Sequence, residues 1–281
     1  MDLNYAGLDE ILLDALREDA GAGDITTACC VPADSLSNGR FTAKEPGVIC
    51  GLGVTVRVFE LLDKTIRVTP LAAEGSAVSP GDVIAEIEGP SRSILTGERT
   101  ALNLLQHMSG IATRTAAAVL AVSGTGAAIT DTRKTTPGLR VLEKYAVRCG
   151  GGSNHRFNLA DGVLIKDNHI KAAGGITQAV SLARSGCPHT LKIEVEAETL
   201  VQVEEAVATG ADIIMLDNMA HDTMAAAVAL ISGRALTEAS GNMGDLDGMG
   251  LKAVAATGVD FISIGALTHS VKALDISLKF S

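Results

Sequence analysis

The chain has no tryptophan, and aromatic residues make up only 2% of its 281 positions. A protein that holds nucleic acid by stacking bases needs aromatic platforms and a basic surface. Here the formal net charge is -10, so no nucleic-acid partner is expected. The five cysteines, Cys29, Cys30, Cys50, Cys149 and Cys187, form no CxxC pair and no Cys/His metal spacing. A zinc-finger framework is thereby excluded, and reduced structural thiols are expected. No apolar run is long enough to span a bilayer, so no membrane partner is expected. The opening MDLNYAGLDE is acidic and lacks both a basic n-region and an apolar h-region, so a cytoplasmic protein without a signal peptide is expected.

What is present is aliphatic. Hydrophobic residues are 47% of the chain, ample for a sizeable core in one large or two modest domains. Leu8, Ile11, Leu12, Ala15 and Leu16 recur on one helical face, and that helix should stop near Gly21-Ala22-Gly23. An irregular link is expected from Asp24. Between about residues 38 and 90 the pattern is strand-like and broken by Pro-Gly turns. One piece, EGSAVSPGDVIAEIEG, looks like the hairpin of lipoyl or biotinyl carriers but has no Lys at its tip, which favours a structural sheet. Residues 92–122 read as helix, either two helices or one kinked near Ser109-Gly110.

From about residue 125 one rhythm repeats: a short β-branched run, a polar terminus, then an Ala-rich helix. Such βα units imply a parallel sheet with right-handed crossovers. Polar residues at every carboxyl end mark a (β/α) barrel with its site at that face. The strand ends read at Thr132-Arg133, Lys166-Asp167-Asn168, Glu194-Val195-Glu196, Asp217-Asn218, Glu238-Ala239-Ser240 and Ser263-Ile264-Gly265.

Charge concentrates in one segment of this half. Between Thr130 and Lys171 stand Arg133, Lys134, Arg140, Lys144, Arg148, Arg156, Lys166 and Lys171 against four acids, Asp131, Glu143, Asp161 and Asp167. A locally cationic pocket in an acidic protein suggests a polyanionic small molecule. Thr136-Pro137 offers an N-cap followed by Pro at the first helical position, and Arg140, Lys144 and Arg148 read as a solvated helix face. Three glycines, Gly150 to Gly152, then lead into Ser153-Asn154-His155-Arg156 and permit close approach of a ligand. Guanidinium forks grip carboxylates bidentately, so a mouth carrying Arg133, His155, Arg156 and Lys166 suits a planar dicarboxylate.

The runs DTRKTTPGLR, GGGSNHR and LIKDNHI, together with EDAGAGDITT, KIEVE, IIMLDN, EASGN and GALTHS in order along nearly the whole chain, closely resemble the quinolinate phosphoribosyltransferase family. The resemblance implies an incomplete (β/α) barrel of about seven parallel strands over residues 108–270. It also implies an N-terminal α+β sandwich over 1–107 and a helical tail, 271–281, packing back on that sandwich. The substrates it implies are quinolinate and phosphoribosyl pyrophosphate (PRPP), and the products are nicotinate mononucleotide, pyrophosphate and CO2, as in de novo NAD biosynthesis.

Arg133, His155, Arg156 and Lys166 would hold the dicarboxylate. Lys134, Lys166 and His269 would meet phosphates, with backbone N–H groups from Ser240-Gly241-Asn242 and Ser263-Ile264-Gly265. Glu196 and Asp217 would bind ribose hydroxyls directly or through Mg2+. Of Glu194 and Glu196, only one is expected to face the mouth, and the resemblance picks Glu196. The family's Arg matching Arg99 reaches into the neighbouring subunit's site, which implies a homodimer with shared sites, with assembly into hexamers as an extension.

Three other readings stay open at this stage. Lys166 at a strand end could be the nucleophile of a Schiff-base aldolase barrel. A related phosphoribosyltransferase could act on another acceptor, as molybdenum-associated paralogues or nicotinate-specific enzymes do. A ligand-sensing or carrier module could have kept the fold alone. His107, His189 and His221 read as structural or surface residues. His169 and His269 stand between a structural and a pocket-edge role, and Asp217-Asn218 could cap the following helix.

Overall fold

Leu12 and Leu16 are buried on one side of α1 (Leu8–Ala20), the amphipathic helix their spacing predicts, in a computed structural model that describes residues 5–243 and 247–281. The expected link after it is instead a short helix, α2 (Ile25–Cys30). Asp24 sits at its N-cap and accepts from the Thr27 N–H at 2.9 Å, which satisfies a first-turn donor. There follow β1 (Leu36–Ala43), β2 (Gly47–Val48), α3 (Leu52–Leu62), β3 (Arg67–Pro70), β4 (Ala77–Val78), β5 (Val83–Pro90) and α4 (Ser91–Ala121). The chain continues through β6 (Ala128–Thr130), α5 (Arg140–Cys149), β7 (Val163–Ile165), α6 (Asp167–Ala173), α7 (Ile176–Gly186), β8 (Ile193–Ala197), α8 (Leu200–Ala208) and β9 (Ile213–Asp217). It ends in α9 (His221–Ile231), β10 (Leu236–Ser240), α10 (Gly248–Ala255), β11 (Phe261–Ser263), α11 (Ala266–His269) and β12 (Ile276–Phe280).

Two compact units emerge. One comprises Met1–Ala116, Thr136–Gly151 and Ser270–Ser281, the other Ala117–Thr135 and Gly152–His269. The boundary expected near 107 therefore lies inside α4, which is one unbroken helix of 31 residues rather than two or a kinked one. A Cβ on Gly110 would lie 2.3 Å from the Lys272 carbonyl oxygen, so this glycine serves close backbone approach and not a kink.

The first unit carries an antiparallel sheet in the order β12-β1-β5-β3. Phe41 of β1 and Phe59 of α3 meet edge to face in its core, with ring centroids 6.5 Å apart. The tail expected to be helical is instead β12. Buried Ile276 and Leu278 alternate with Ser277 and Lys279, the period of a half-buried strand, and β12 pairs antiparallel with β1. Helix α5 also belongs to this unit and begins at Arg140, not at Pro137. Its charges are not all on a solvated face: Glu143 and Lys144 are buried, and Glu143 accepts from the Thr136 N–H and pairs with His107 at 2.9 Å.

The second unit is a parallel sheet of six strands in the order β6-β11-β10-β9-β8-β7. Where a seventh strand is expected, among the described residues there is a single parallel bridge, Thr130 with Ser153. The glycine-rich run before Ser153 supplies no side chains to pack a longer strand, so pairing stops at one residue.

Candidate functional site

Side chains two apart on a strand share a face, so each barrel strand lines its interior in layers. On β8 these are Glu194 and Glu196, on β9 Met215 and Asp217, and on β10 Glu238 and Ser240. The expectation that only one of Glu194 and Glu196 faces inward is overturned by this same spacing. Both do, one layer apart.

The mouth layer encloses a cavity of about 500 Å³. Its wall includes Arg133, Lys134, His155, Arg156, Lys166, Glu196, Asp217, Ser240, Gly241, Asn242 and Ser263, so eleven of the sequence-predicted site residues come together here. Lys166 Nζ donates to Glu196 Oε2 at 2.9 Å, across neighbouring strands. An adjoining cavity of about 270 Å³ shares Lys134, Ser240, Gly241, Asn242 and Ser263, and adds Gly265 and His269.

Two glycines are required by this geometry. Gly241 has φ +91°, and a Cβ there would fall 2.1 Å from Asn218 Oδ1. A Cβ on Gly265 would press on Lys134 and His269. Ile264 departs from expectation: it is buried, and its N–H is committed to the Thr130 carbonyl at 2.9 Å, so it has no donor to give a phosphate. Arg99 is exposed on α4 in the other unit.

The run from Ser153 to Arg156 is held by Asp131, which is fully buried at the end of β6. It accepts from Asn154 Nδ2 at 2.6 Å and from the His155 N–H at 2.9 Å. The ring of His155 is in turn locked by its neighbours. Its Nδ1 accepts the Arg156 N–H at 2.7 Å, which places the proton on Nε2, and Nε2 faces Glu194 at 3.2 Å and Glu238 at 3.6 Å. Both ring nitrogens are thus engaged within the protein, so His155 forms a wall of the cavity and orients Arg156. Arg156 also donates through Nη1 to the Gly162 carbonyl at 2.9 Å.

The electrostatics favour an anionic guest. Burial lowers the Arg156 pKa from its ordinary range, and the neighbouring Arg133 guanidinium lowers it further. Two like charges held together in a half-buried wall call for negative charge between them. Below them, burial first and Glu194 second push the Glu238 pKa up to about 7. Glu194 and Glu238 also line a second cavity of about 310 Å³ under the mouth.

Sequence reasoning missed the functional placing of Glu194, Glu238, Asn218 and Glu198. The i, i+2 parity of the strands was the signal for the first two. Glu198 lies past the end of β8, yet its carboxylate comes within 4.8 Å of those of Glu196 and Asp217. Three hard oxygen donors at that spacing fit Mg2+, which prefers carboxylate and water ligands. His169 serves as a cap: its Nδ1 accepts the Lys166 N–H at 2.9 Å. No described helix is long and apolar enough to cross a membrane.

The chain is similar to known proteins along nearly its whole length. Residues 24–109 match the N-terminal domain, and residues 111–279 the C-terminal domain, of quinolinate phosphoribosyl transferase. The chain is 46% identical to a probable carboxylating nicotinate-nucleotide pyrophosphorylase of Bacillus subtilis, covering 98% of this chain and 94% of that protein. It is 43% identical to a carboxylating nicotinate-nucleotide pyrophosphorylase of Mycobacterium leprae, over 99% and 98% of the two chains. The crystal structure of NadC from Streptococcus pyogenes superposes with a TM-score of 0.94 at 44% identity, covering 100% and 99%.

Proposed function

The chain belongs to the quinolinate phosphoribosyltransferase family, and we propose that its barrel mouth joins quinolinate to the ribose of PRPP with the aid of Mg2+, then releases CO2. The enzyme is a nicotinate-nucleotide pyrophosphorylase of the carboxylating type and serves NAD biosynthesis. The observation that carries the site assignment is a single cavity whose wall brings the neighbouring Arg133 and Arg156 together with Glu196 and Asp217.

Each group has a task. Arg133 and Arg156 take the two adjacent carboxylates of the planar pyridine, with His155 as the wall that sets the plane. Lys134, Lys166 and His269, with N–H groups of the Ser240–Asn242 and Ser263–Gly265 turns other than that of Ile264, take the phosphates. Glu196 and Asp217 hold the ribose hydroxyls and, with Glu198, would hold Mg2+, whose chemistry is to neutralise pyrophosphate as it leaves.

In the first step the pyridine nitrogen lone pair forms the bond to ribose C1 as the bond from C1 to the pyrophosphate oxygen breaks. Positioning and the carboxylates beside the oxocarbenium-like centre lower that barrier, without a covalent enzyme intermediate. The ring nitrogen is then cationic. In the second step the bond from C2 to its carboxylate breaks, CO2 departs, and the electron pair left on C2 is stabilised by that cation until it takes a proton.

Arg99 is exposed and lies outside the barrel unit, which supports a homodimer in which it completes the neighbouring subunit's site. Quinolinate labelled at the C2 carboxyl is the direct test. Labelled CO2 should appear only when PRPP and Mg2+ are both present, and should stop when the metal is chelated. Release without PRPP, or undiminished release in chelator, would overturn the order of steps or the metal's part in them.

A further inference from the structure

Two cysteines distant in sequence meet outside the barrel unit. Cys50 directly precedes the N-cap of α3 and Cys149 ends α5, yet their sulfurs and a carboxylate oxygen of Glu74 all lie within 4.8 Å of one another. Cys50 is fully buried and Cys149 half-buried. The Cys149 Sγ donates toward Glu74 Oε2 at 3.9 Å, and the Cys50 and Cys149 thiols are hydrogen-bonded to each other. Tyr145, one turn earlier on α5, also hydrogen-bonds the Cys149 sulfur.

Glu74 is rigidly presented. The Gly51 N–H reaches its two oxygens at 2.9 and 3.1 Å, and the Gly53 N–H reaches Oε1 at 3.3 Å, so the carboxylate is fixed in orientation from behind. This is the outer-shell support that ligating carboxylates characteristically have.

We propose that Cys50, Cys149 and Glu74 form a Zn2+ site. Two thiolates and one carboxylate are the borderline-soft donor set that zinc takes in preference to Mg2+. A tetrahedron with Zn–S of about 2.3 Å and Zn–O of about 2.1 Å has S···O edges of roughly 3.6 Å, a few tenths below the distance from Cys149 to Glu74. Binding replaces two thiol protons with one cation: Zn2+ plus two thiols and one carboxylate gives the monoanionic complex and two protons. The fourth position falls to water, with the Tyr145 hydroxyl close by.

Another cluster of ligand-type side chains among the described residues, His155 with Glu194 and Glu238, is a poorer metal site. There Nδ1 accepts a backbone N–H, so Nε2 carries the proton and has no lone pair to give.

Bridging α5 to the loops carrying Cys50 and Glu74, the ion would act as a structural staple. The test is Co2+ titration of the full, thiol-reduced, metal-free protein under anaerobic conditions. One equivalent should bind with sulfur-to-cobalt charge-transfer absorption, be displaced by Zn2+, and give no such band in Cys149→Ser. Glu74→Gln should weaken binding tenfold or more. Zn2+ should raise the melting temperature of the reduced wild-type protein and leave that of Cys149→Ser unchanged, with quinolinate turnover unaltered in the variant.

Absence of the band in wild-type protein overturns the proposal, whatever the variants do. So does an undiminished band in a folded Cys149→Ser. Reduced protein that takes up no metal, and forms a Cys50–Cys149 disulfide on exposure to peroxide, would show the pair to be a redox couple instead.

Discussion

Arg133 and Arg156 illustrate how a single residue type sets what the site will hold. The Arg133 guanidinium adds to burial in raising the cost of charging Arg156, and a dicarboxylate bound between the two relieves that repulsion. Removing one partner leaves a substrate carboxylate desolvated and unpaired, a loss of a few kcal/mol. Arg133→Ala should therefore lower kcat/KM for quinolinate by about 100-fold while the melting temperature stays near that of the wild type. Kinetics like those of the wild type would remove Arg133 from the site.

Glu238 makes a second prediction at this scale. Its pKa in the folded protein is raised from 4.5 to about 7, so between those values the folded state holds a proton that the unfolded chain releases. The stability this proton confers is complete below pH 4.5 and is lost as the pH rises through about 7. Glu238→Gln should remove that dependence. The stability of the wild type relative to the variant should fall by on the order of 3 kcal/mol across this window in denaturant titrations. Parallel curves for the two proteins would contradict it.

At the scale of the element, the strands of the barrel were legible because their β-branched runs end abruptly in charge. Thr132-Arg133, Lys166 and Asp217 announced where the mouth would be before any geometry was known. Other features were not legible, for physical reasons. The tail was expected to be helical, but Ile276 and Leu278 alternate, and their burial depends on an antiparallel partner, β1, far away in sequence. Asp131 lies within the motif that reveals the family, yet its work is to fasten the loop from Asn154 to His155, a contact that strand and turn signals do not encode. Glu198 stands beyond its strand and joins Glu196 and Asp217 only through the path of the chain.

The tail carries its own prediction. Deleting residues 275–281 strips two buried side chains, Ile276 and Leu278, and leaves β1 as an open edge. The truncated chain should melt several degrees lower and elute partly as aggregate in size-exclusion chromatography. An unchanged melting temperature would show β12 to be dispensable.

At the scale of the whole molecule, an acidic chain of net charge -10 sets Arg133, Lys134, Arg156 and Lys166 around one barrel mouth and leaves Arg99 exposed in a different unit. If Arg99 completes a neighbouring copy's site, Arg99→Ala and Arg133→Ala should complement each other. When the two impaired variants are mixed under conditions that exchange subunits, about one quarter of the sites become intact, and about that share of activity should return. No recovery despite demonstrated exchange would place Arg99 in its own subunit's chemistry or outside it altogether.

The most direct test of the barrel mouth as a dicarboxylate site is steady-state turnover of the purified protein with PRPP and Mg2+, comparing quinolinate with nicotinate as acceptor. The two acceptors share the ring and its nitrogen, and differ in the C2 carboxylate that Arg133 and Arg156 are placed to share. Nicotinate mononucleotide formed from quinolinate, with little or none from nicotinate, is the expected result. Equal or faster use of nicotinate would contradict it, because one carboxylate would then suffice for a mouth that holds two adjacent guanidinium groups.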